Sequence, residues 1–358
     1  MTSNDIARLR LLNQLLLNQK AKTPAEVVAR LGGVQAQDYT GGELSIGLRL
    51  PGSTITNVER SIKEREVIRT WGLRGTLHFL SVSDIDWILG LLAPMIISEL
   101  KGRYEELELD TGTLRKTNSL LEKHLKGNRH LTRRELVAII EKKGISCKGQ
   151  RATFILHRAS LDKVICFGVT RGRQQTHTLF EEWVNKRNPM SRDESLAELA
   201  HRYFTSHGPA TKQDYMWWSG LKSSDANAGL EMIKSKLEQA TVEGKTYWVP
   251  VNAIPAGTSG TTAYLLPSFD DFLIGYKDRS ASISAIDSAR LRGGGMPNQV
   301  IVIGGHVAGM WTRTPKKETV VVEINLFRKL KKPEKTVLDN AVERYIEFVG
   351  KNPIINFA

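Results

Sequence analysis

The feature that most constrains this fold is a repeated helix start, in which threonine or serine is followed three residues later by an acid. It occurs at 132–135 and 191–194, in a looser form at 211–214, and with a proline at 23–26. In each case the hydroxyl can cap free backbone N–H groups, and the acid suits the positive end of the helix dipole. The chain is therefore predicted to contain several short helices, each with its own start signal.

These helices recur together with hairpins. Residues 131–177 predict two helices, a short strand and a basic hairpin, and residues 191–250 predict three helices and a hairpin. This is the order of the winged-helix unit, a relative of helix-turn-helix. The start of the chain fits less cleanly, with helices at 4–18, 24–31 and 54–65 and a hairpin at 67–80.

The pattern changes after residue 250, where glycine, proline and β-branched residues replace the helical periodicity. The stretches 263–276, 298–314 and 319–327 predict strands with glycine-rich turns, and 335–349 predicts a closing helix. Linkers are expected near 111–130 and 185–191, with a boundary near 251–262. The fold class is therefore α+β, with winged-helix modules at 1–125, 126–190 and 191–250 and a strand-rich module at 251–358.

The chain is strongly basic, with a formal net charge of +13. An excess of this size predicts a polyanionic partner, most commonly nucleic acid, although a basic enzyme without such a partner is the alternative. Cys147 and Cys166 lack metal-site spacing, so neither a metal nor another cofactor is expected. No apolar run could span a bilayer, and the charged start lacks the apolar stretch of a signal peptide, so we expect no membrane contact and a cytoplasmic location, on the nucleoid when DNA is bound.

Two glutamines, Gln35 and Gln37, are the main catalytic candidates. They follow the helix predicted at 24–31, and two amides one residue apart can orient one water without carrying charge. The alternative is a hydrogen-bond network that closes the end of that helix. Asp38 could act as a base instead, but an extended strand would place it on the opposite side from both glutamines.

Other polar residues are candidates for DNA contact. Arg69, Arg74 and His78 belong to the stretch 69–80, where they could contact nucleic-acid phosphate or bases near the glutamines; the alternative is a hydrogen-bonded core histidine and a surface arginine. The densest basic region, 129–158, could bind phosphates or be only a solvated face, and its candidates are Arg133, Arg134, Lys148 and Arg151.

Tyr276, Arg279 and Arg313 lie in the strand-rich module, near predicted strand ends. An arginine or aromatic side chain at a hairpin tip can enter the minor groove. The alternative is that these residues pair within the protein, with Asp278 bound to Arg279 or Arg313. Both interpretations stay open on the sequence alone.

Several ordered motifs resemble the AlkZ-like (YcaQ-like) winged-helix DNA glycosylases, over roughly residues 5–350: LGGVQAQD, RTWGLRGTLHFL, HGPATKQDYMWWSGL, LLPSFDDFLIGYKDRS and GHVAGMWTRT. The resemblance implies tandem winged-helix motifs followed by a small β-barrel, forming a C-shaped body around a DNA channel. It also implies removal of alkylated purines, notably bulky N7-alkylguanine and interstrand crosslinks. Gln35-Ala36-Gln37 matches the Gln-x-Gln branch of the family, which implies that both glutamines are catalytic.

The residues and the resemblance together predict a monomeric, monofunctional glycosylase acting on double-stranded DNA with alkylated bases. An N7-alkylguanine already carries positive charge, so the enzyme needs mainly a positioned water and dipoles facing the sugar cation. No lysine stands out as a Schiff-base nucleophile. The alternatives are a winged-helix regulator and a lesion-binding protein without activity. Three tandem units in one chain fit a wrapping monomer better than a dimeric repressor.

Overall fold

The computed structural model describes residues 1–17, 19–172, 174–184, 189–251, 261–291 and 299–357. The chain forms two compact units, one from Met1–Glu59 with Leu196–Ala358 and the other from Arg60–Ser195. The first unit is therefore built from both ends of the chain. The division into four modules stays a prediction, and parts of the expected boundaries near 185–191 and 251–262 lie outside the described residues.

The helices and strands of the described residues are numbered in chain order. The helices are α1 (Ser3–Asn13), α2 (Pro24–Leu31), α3 (Tyr39–Gly47), α4 (Ile55–Lys63), α5 (Ile85–Glu99), α6 (Lys101–Glu106), α7 (Thr111–Leu125), α8 (Arg133–Glu141), α9 (Arg151–Leu161), α10 (Phe180–Trp183), α11 (Arg192–His207), α12 (Lys212–Ser219), α13 (Ser223–Ile233), α14 (Asp271–Ile274), α15 (Ala285–Arg290) and α16 (Lys332–Val349). The strands are β1 (Val34–Gln35), β2 (Val67–Trp71), β3 (Leu77–Ser81), β4 (Leu131–Thr132), β5 (Ile165–Phe167), β6 (Thr176–Leu179), β7 (Leu237–Val242), β8 (Lys245–Pro250), β9 (Ala263–Leu266), β10 (Val300–Ile303), β11 (His306–Pro315), β12 (Thr319–Leu326) and β13 (Asn352–Phe357).

The helix starts predicted from the sequence are confirmed. The hydroxyls of Thr23, Thr132 and Thr211 each accept a hydrogen bond from the backbone N–H three residues on, and Thr132 and Thr211 form full capping boxes. Ser191 and Glu194 exchange the equivalent bonds at the start of α11. These motifs are local, so neighbouring residues alone determine them.

The strand-rich part of the first unit is an open sheet in the order β13-β12-β11-β10-β9. Neighbouring strands are antiparallel except for β12 and β13, which are parallel. In the residues that the structure describes, β9 and β13 are the two edges, so the predicted closed barrel is not formed there. The long helix α16 packs against β9 and β10, with Leu338, Val342 and Tyr345 buried.

The strand predicted at 263–276 is wrong beyond its first residues. Strand β9 ends at Leu266, directly before Pro267, which has no N–H to donate to a sheet. The Asp270 carboxylate then accepts a hydrogen bond from the backbone N–H of Phe272 and starts the short helix α14. A proline and a helix cap therefore outweigh the apolar pattern of this stretch.

The second unit contains the hairpin β2–β3 and a three-stranded sheet in the order β4-β6-β5. Its core includes Leu121, Leu136 and Ile155, which come from α7, α8 and α9. The linker expected at 111–130 is instead helix α7, which Asp110 caps by accepting from the N–H of Thr113. Its apolar residues are few but fall on one face, so tertiary packing makes it a core helix. Among the described residues, no helix combines the length and apolarity needed to cross a membrane.

Within the first unit, a buried ion pair joins Arg49, just after the end of α3, to Asp270, the N-cap of α14. The guanidinium of Arg49 contacts both carboxylate oxygens of Asp270, at 2.8 Å and 2.9 Å. Arg49 also donates to the backbone and side-chain oxygens of Gln14, at 2.9 Å and 3.0 Å, and the Ser45 hydroxyl donates to Asp270 at 2.7 Å. Both charges therefore have their hydrogen-bonding groups satisfied away from water.

Replacing Asp270 with asparagine should strongly destabilise the first unit. The substitution conserves shape but leaves the Arg49 charge buried without a counter-ion, which costs about 3–5 kcal/mol. In a unit of this size such a loss lowers the melting temperature by roughly 6–20 °C. Differential scanning calorimetry measures it, with Glu231→Gln, which breaks the exposed pair with Lys234, as the matched control. Equal melting temperatures for the two variants would show that the buried pair does not stabilise the unit.

Candidate active site

The Gln-x-Gln segment lies between α2 and α3. Helix α2 ends at Gly32, which has a left-handed backbone (φ 74°), and a Cβ there would lie 3.1 Å from the ring of Trp218. The extended stretch β1 ends at Gln35, and the chain bends at Gln37 before α3 begins. Gln35 is only 6% exposed, whereas Gln37 is exposed. The two glutamines therefore have different environments, and Gln37 is the one that solvent reaches.

Asp38 occupies the N-cap position of α3, but its carboxylate makes no cap hydrogen bond. One oxygen instead accepts from the guanidinium of Arg313 at 3.2 Å, and the other accepts from the hydroxyl of Thr40 at 3.2 Å. The same guanidinium nitrogen donates to the Thr40 hydroxyl oxygen at 3.0 Å. The expectation that Asp38 faces away from the glutamines assumed an extended strand, and the bend at Gln37 removes that assumption.

Arg313 lies within a strand, as the sequence predicted, but its ion-pair partner is Asp38 rather than Asp278. It lies on β11 opposite Val322, close to the turn that leads into β12, and its side chain is 11% exposed. The alternative pairing with Asp278 is wrong, because Asp278 forms its ion pair with Lys245 at 2.5 Å. Arg313 is instead an internal partner of the segment that carries Gln37.

Glu43, one helical turn into α3, is a buried acid that the sequence analysis missed. It is 1% exposed, and its Oε1 has no hydrogen-bond partner within the described part of the chain. Burial, reinforced by the Glu59 carboxylate, raises the pKa of Glu43 to about 8, against the opposing effects of Tyr39 and Arg313. Glu43 is therefore mostly uncharged at neutral pH. In the sequence, the only indication of this buried acid is that Glu43 is the one charged residue of the helix YTGGELSIG.

Gln37 is therefore an exposed, uncharged residue, and the acid that follows it, Asp38, is already bound to Arg313. An amide oxygen accepts a proton from water, and its dipole can face a developing cation. Within the described ranges, no group of three or more histidine, cysteine, aspartate or glutamate residues could hold a metal ion. The segment is thus suited to orient a neutral nucleophile rather than to transfer a proton by itself.

The predicted DNA contacts in the stretch 69–80 have different placements. The buried Arg69 stacks on the ring of Phe167 at 4.6 Å and donates to the side-chain oxygen of Gln175 at 3.3 Å. His78 is 2% exposed, with Nδ1 3.0 Å from the backbone oxygen of Thr76. Both side chains are thus buried within the protein, which favours a structural role over contact with DNA. Arg74 is half-buried at a left-handed turn (φ 56°), and its contact with DNA stays a prediction.

Of the basic candidates at 129–158, Arg133, Arg134 and Lys148 are exposed. Arg151 is partly buried and donates to the backbone oxygens of Ser146 and Leu107. Its guanidinium therefore closes a loop within the second unit. The other three remain accessible to phosphate.

Tyr276 is a correction to the predicted DNA contacts. It has no exposed surface, and the guanidinium of Arg10 lies 3.6 Å above its ring. Its hydroxyl donates to the backbone oxygen of His207 and accepts from Gln14, both at 2.8 Å. A side chain enclosed in this way cannot reach DNA. Arg279 is partly buried and donates to the backbone oxygen of Tyr276 at 3.2 Å.

Comparison with known proteins identifies relatives over nearly the whole chain. The family model described as DNA glycosylase AlkZ-like matches residues 28–348. An interstrand DNA cross-link repair glycosylase of Streptomyces sahachiroi is 28% identical over 322 residues, which cover 84% of this chain and 85% of the relative. The solved structure of the Streptomyces sahachiroi DNA glycosylase AlkZ has a TM-score of 0.79 and 22% identity, with both chains covered completely. This last likeness establishes a shared fold.

Replacing Glu43 with glutamine should change how stability depends on pH. Between the ordinary pKa of 4.5 and about 8, Glu43 is ionised in the unfolded chain and protonated in the folded one. The folded state then binds one proton more, so stability falls as pH rises, by about 1.4 kcal/mol per pH unit.

Urea unfolding at pH 5.5, 6.5 and 7.5 measures this dependence. The stability of wild type minus that of Glu43→Gln should fall as pH rises, because buried histidines with lowered pKa values, such as His177 and His207, act in the opposite direction but equally in both proteins. The difference between wild type and the exposed control Glu231→Gln should stay constant. Parallel pH profiles for wild type and Glu43→Gln would mean that the buried carboxyl is ionised throughout this range.

Proposed function

This chain belongs to the AlkZ-like DNA glycosylase family and is a DNA glycosylase, and we propose that it hydrolyses the N-glycosidic bond of alkylated purines in duplex DNA. The proposed substrate is a purine of the N7-alkylguanine type. The cross-link repair named for the Streptomyces sahachiroi relative extends the proposal to cross-linked N7-alkylguanine. The reaction is monofunctional, releasing the base without strand cleavage.

The exposed amide of Gln37, beside acids that are paired or protonated, is the observation that supports this substrate class. Asp38 is bound to Arg313, and Glu43 is buried and mostly uncharged at neutral pH. Asp38 has no proton to give, and the protonated Glu43 is only 1% exposed, so neither acid is placed to protonate a normal purine. A purine alkylated at N7 needs no such help, because its positive charge already weakens the bond to the sugar.

The two glutamines have separate roles in the proposed reaction. The Gln37 side-chain oxygen accepts a hydrogen bond from the attacking water and directs its dipole toward the oxocarbenium-like sugar. The buried Gln35 belongs to the strand that precedes the bend and fixes its position. The bond to the base is largely broken before water attacks, so the water's proton passes to solvent afterwards.

The proposed partner is double-stranded DNA, bound by a monomer. The elements α7, β4, α8, α9, β5 and β6 follow the order of a winged helix, which supports a DNA-binding module in the second unit. The exposed Arg133, Arg134 and Lys148 lie on or between its helices. Phosphate contacts from such side chains release counterions and do not depend on sequence, as a repair enzyme requires.

Replacing Gln37 with alanine should remove most base release while leaving DNA binding intact. Loss of one oriented dipole in an active site reduces rates by about 10²–10³-fold. The measurement is single-turnover release of N7-methylguanine from duplex DNA, with binding measured on the same duplex. Gln35→Ala should also reduce release, because it loosens the segment.

Gln239→Ala, at an exposed glutamine on β7, is the matched control and should retain the wild-type rate. Wild-type protein that binds this duplex and a crosslinked duplex but releases no base from either would refute the proposal. A footprint with a consensus sequence and no lesion preference would indicate a regulator instead.

Replacing Arg133 and Arg134 with alanine should weaken DNA binding at all sequences alike. Each lost phosphate contact reduces the slope of log affinity against log salt by about 0.9. Fluorescence anisotropy between 50 and 200 mM salt measures this slope. Lys234→Ala serves as the control, because this exposed lysine is paired with Glu231. An unchanged slope in the double variant would exclude these arginines from the interface.

A further inference from the structure

Arg313 and Asp38 are far apart in sequence and meet at the residue that directly follows Gln37. The Arg313 guanidinium bridges the Asp38 carboxylate and the Thr40 hydroxyl, at 3.2 Å and 3.0 Å. Burial raises the pKa of Tyr345 on α16, and the positive charge of Arg313 opposes that rise, so the guanidinium lies close to this buried ring. Asp38 is the residue that follows Gln37. The arginine can therefore influence Gln37 without contacting the substrate.

The ion pair prevents Asp38 from doing what an N-cap aspartate ordinarily does. An aspartate at this position normally accepts a hydrogen bond from the second or third backbone N–H of the helix. Asp38 makes no such bond, and both of its oxygens are engaged by Arg313 and Thr40. Without Arg313 the carboxylate would be free to turn toward the helix N–H groups. The bend next to Gln37 would then lose its restraint from Arg313 on β11.

Gly41 provides the space that this conformation requires. A Cβ at residue 41 would lie 2.6 Å from Oδ2 of Asp38 and 2.9 Å from its carboxylate carbon. Alanine at this position would push the carboxylate away from Arg313. The same substitution favours helix formation, because glycine has a low helix propensity. Gly41→Ala therefore disturbs the ion pair without removing either charged residue and without weakening α3.

We propose that Arg313 is a positioning residue for base excision, which keeps the Asp38 carboxylate from bonding to the backbone N–H groups of the first turn of α3 and thereby fixes the bend that presents Gln37. The inference rests on the proposed role of Gln37. In this positioning role Arg313 affects the rate of the chemical step. A direct contact with DNA, the function first expected from its place in a β-hairpin, would act on affinity instead.

The experiment compares wild type with Arg313→Ala, Gly41→Ala, their combination and Arg313→Lys. Single-turnover release of N7-methylguanine gives the rate at saturating enzyme, and anisotropy on the same duplex gives the Kd. Arg313→Ala and Gly41→Ala should each slow release by about 10–100-fold, the cost of displacing a catalytic group by about 1 Å. The Kd should change by less than about threefold, since no phosphate contact is lost.

The double variant and the lysine variant separate positioning from general destabilisation. Because both single substitutions disrupt one contact, their combination should be no slower than the slower single variant. Arg313→Lys keeps the charge and should recover part of the rate. Arg328→Ala, which breaks the partly exposed pair with Glu334 in the same unit, should release base at the wild-type rate.

Three results would overturn the inference. Arg313→Ala with a raised Kd and an unchanged rate at saturation would make Arg313 a DNA contact. A wild-type rate for Gly41→Ala, which is not expected to impair folding, would show that the position of Asp38 does not matter. Multiplicative losses in the double variant would show that the two sites act separately. Absence of release by wild type would instead refute the proposed function, on which the inference depends.

Discussion

The unit that carries Gln35 and Gln37 depends on the buried ion pair between Arg49 and Asp270. Moving two charges out of water is costly, and the cost is offset only when geometry is good and the remaining hydrogen-bonding groups are satisfied. Both conditions hold here, because the contact is bidentate and Gln14 and Ser45 complete it. Burial opposes the ionisation of Asp270, but Arg49 and the surrounding donors outweigh it and lower the pKa of this carboxyl. The pair fixes the end of α3 to the start of α14.

Helix α3 is consequently restrained at both ends. Its end packs closely on α16, since a Cβ at Gly47 would lie 2.2 Å from the ring of Phe348. Its start is restrained by the contact between Asp38 and Arg313. A catalytic group at the edge of a rigid helix keeps its geometry better than one on a free loop. The exposed Gln37 thus combines solvent access with a restrained backbone, and in the proposed reaction its neutral amide suits a substrate that brings its own positive charge.

The sequence predicted what depends on neighbouring residues and missed what depends on distant ones. The caps at Thr23, Thr132 and Thr211 were predicted because hydroxyl and acid lie within one turn. The segment of Gln35 and Gln37 was found through its motif, but the burial of one amide and the exposure of the other follow from packing. The partner of Arg313 is 275 residues away in sequence, so no local pattern could reveal it. Tyr276 looked accessible at the end of an apolar run, yet Arg10, from the first helix, covers it.

The most direct test of this account is the distance between Gln37 and the sugar of a bound lesion. A crystal structure of the protein with duplex DNA containing a 2′-fluoro N7-methylguanine, whose glycosidic bond resists cleavage, gives this distance. The account predicts one water hydrogen-bonded to the Gln37 side-chain oxygen and about 3–3.5 Å from C1′ of the lesion, on the face opposite the base. A lesion sugar bound elsewhere, with Gln37 too far to share a water with C1′, would contradict it.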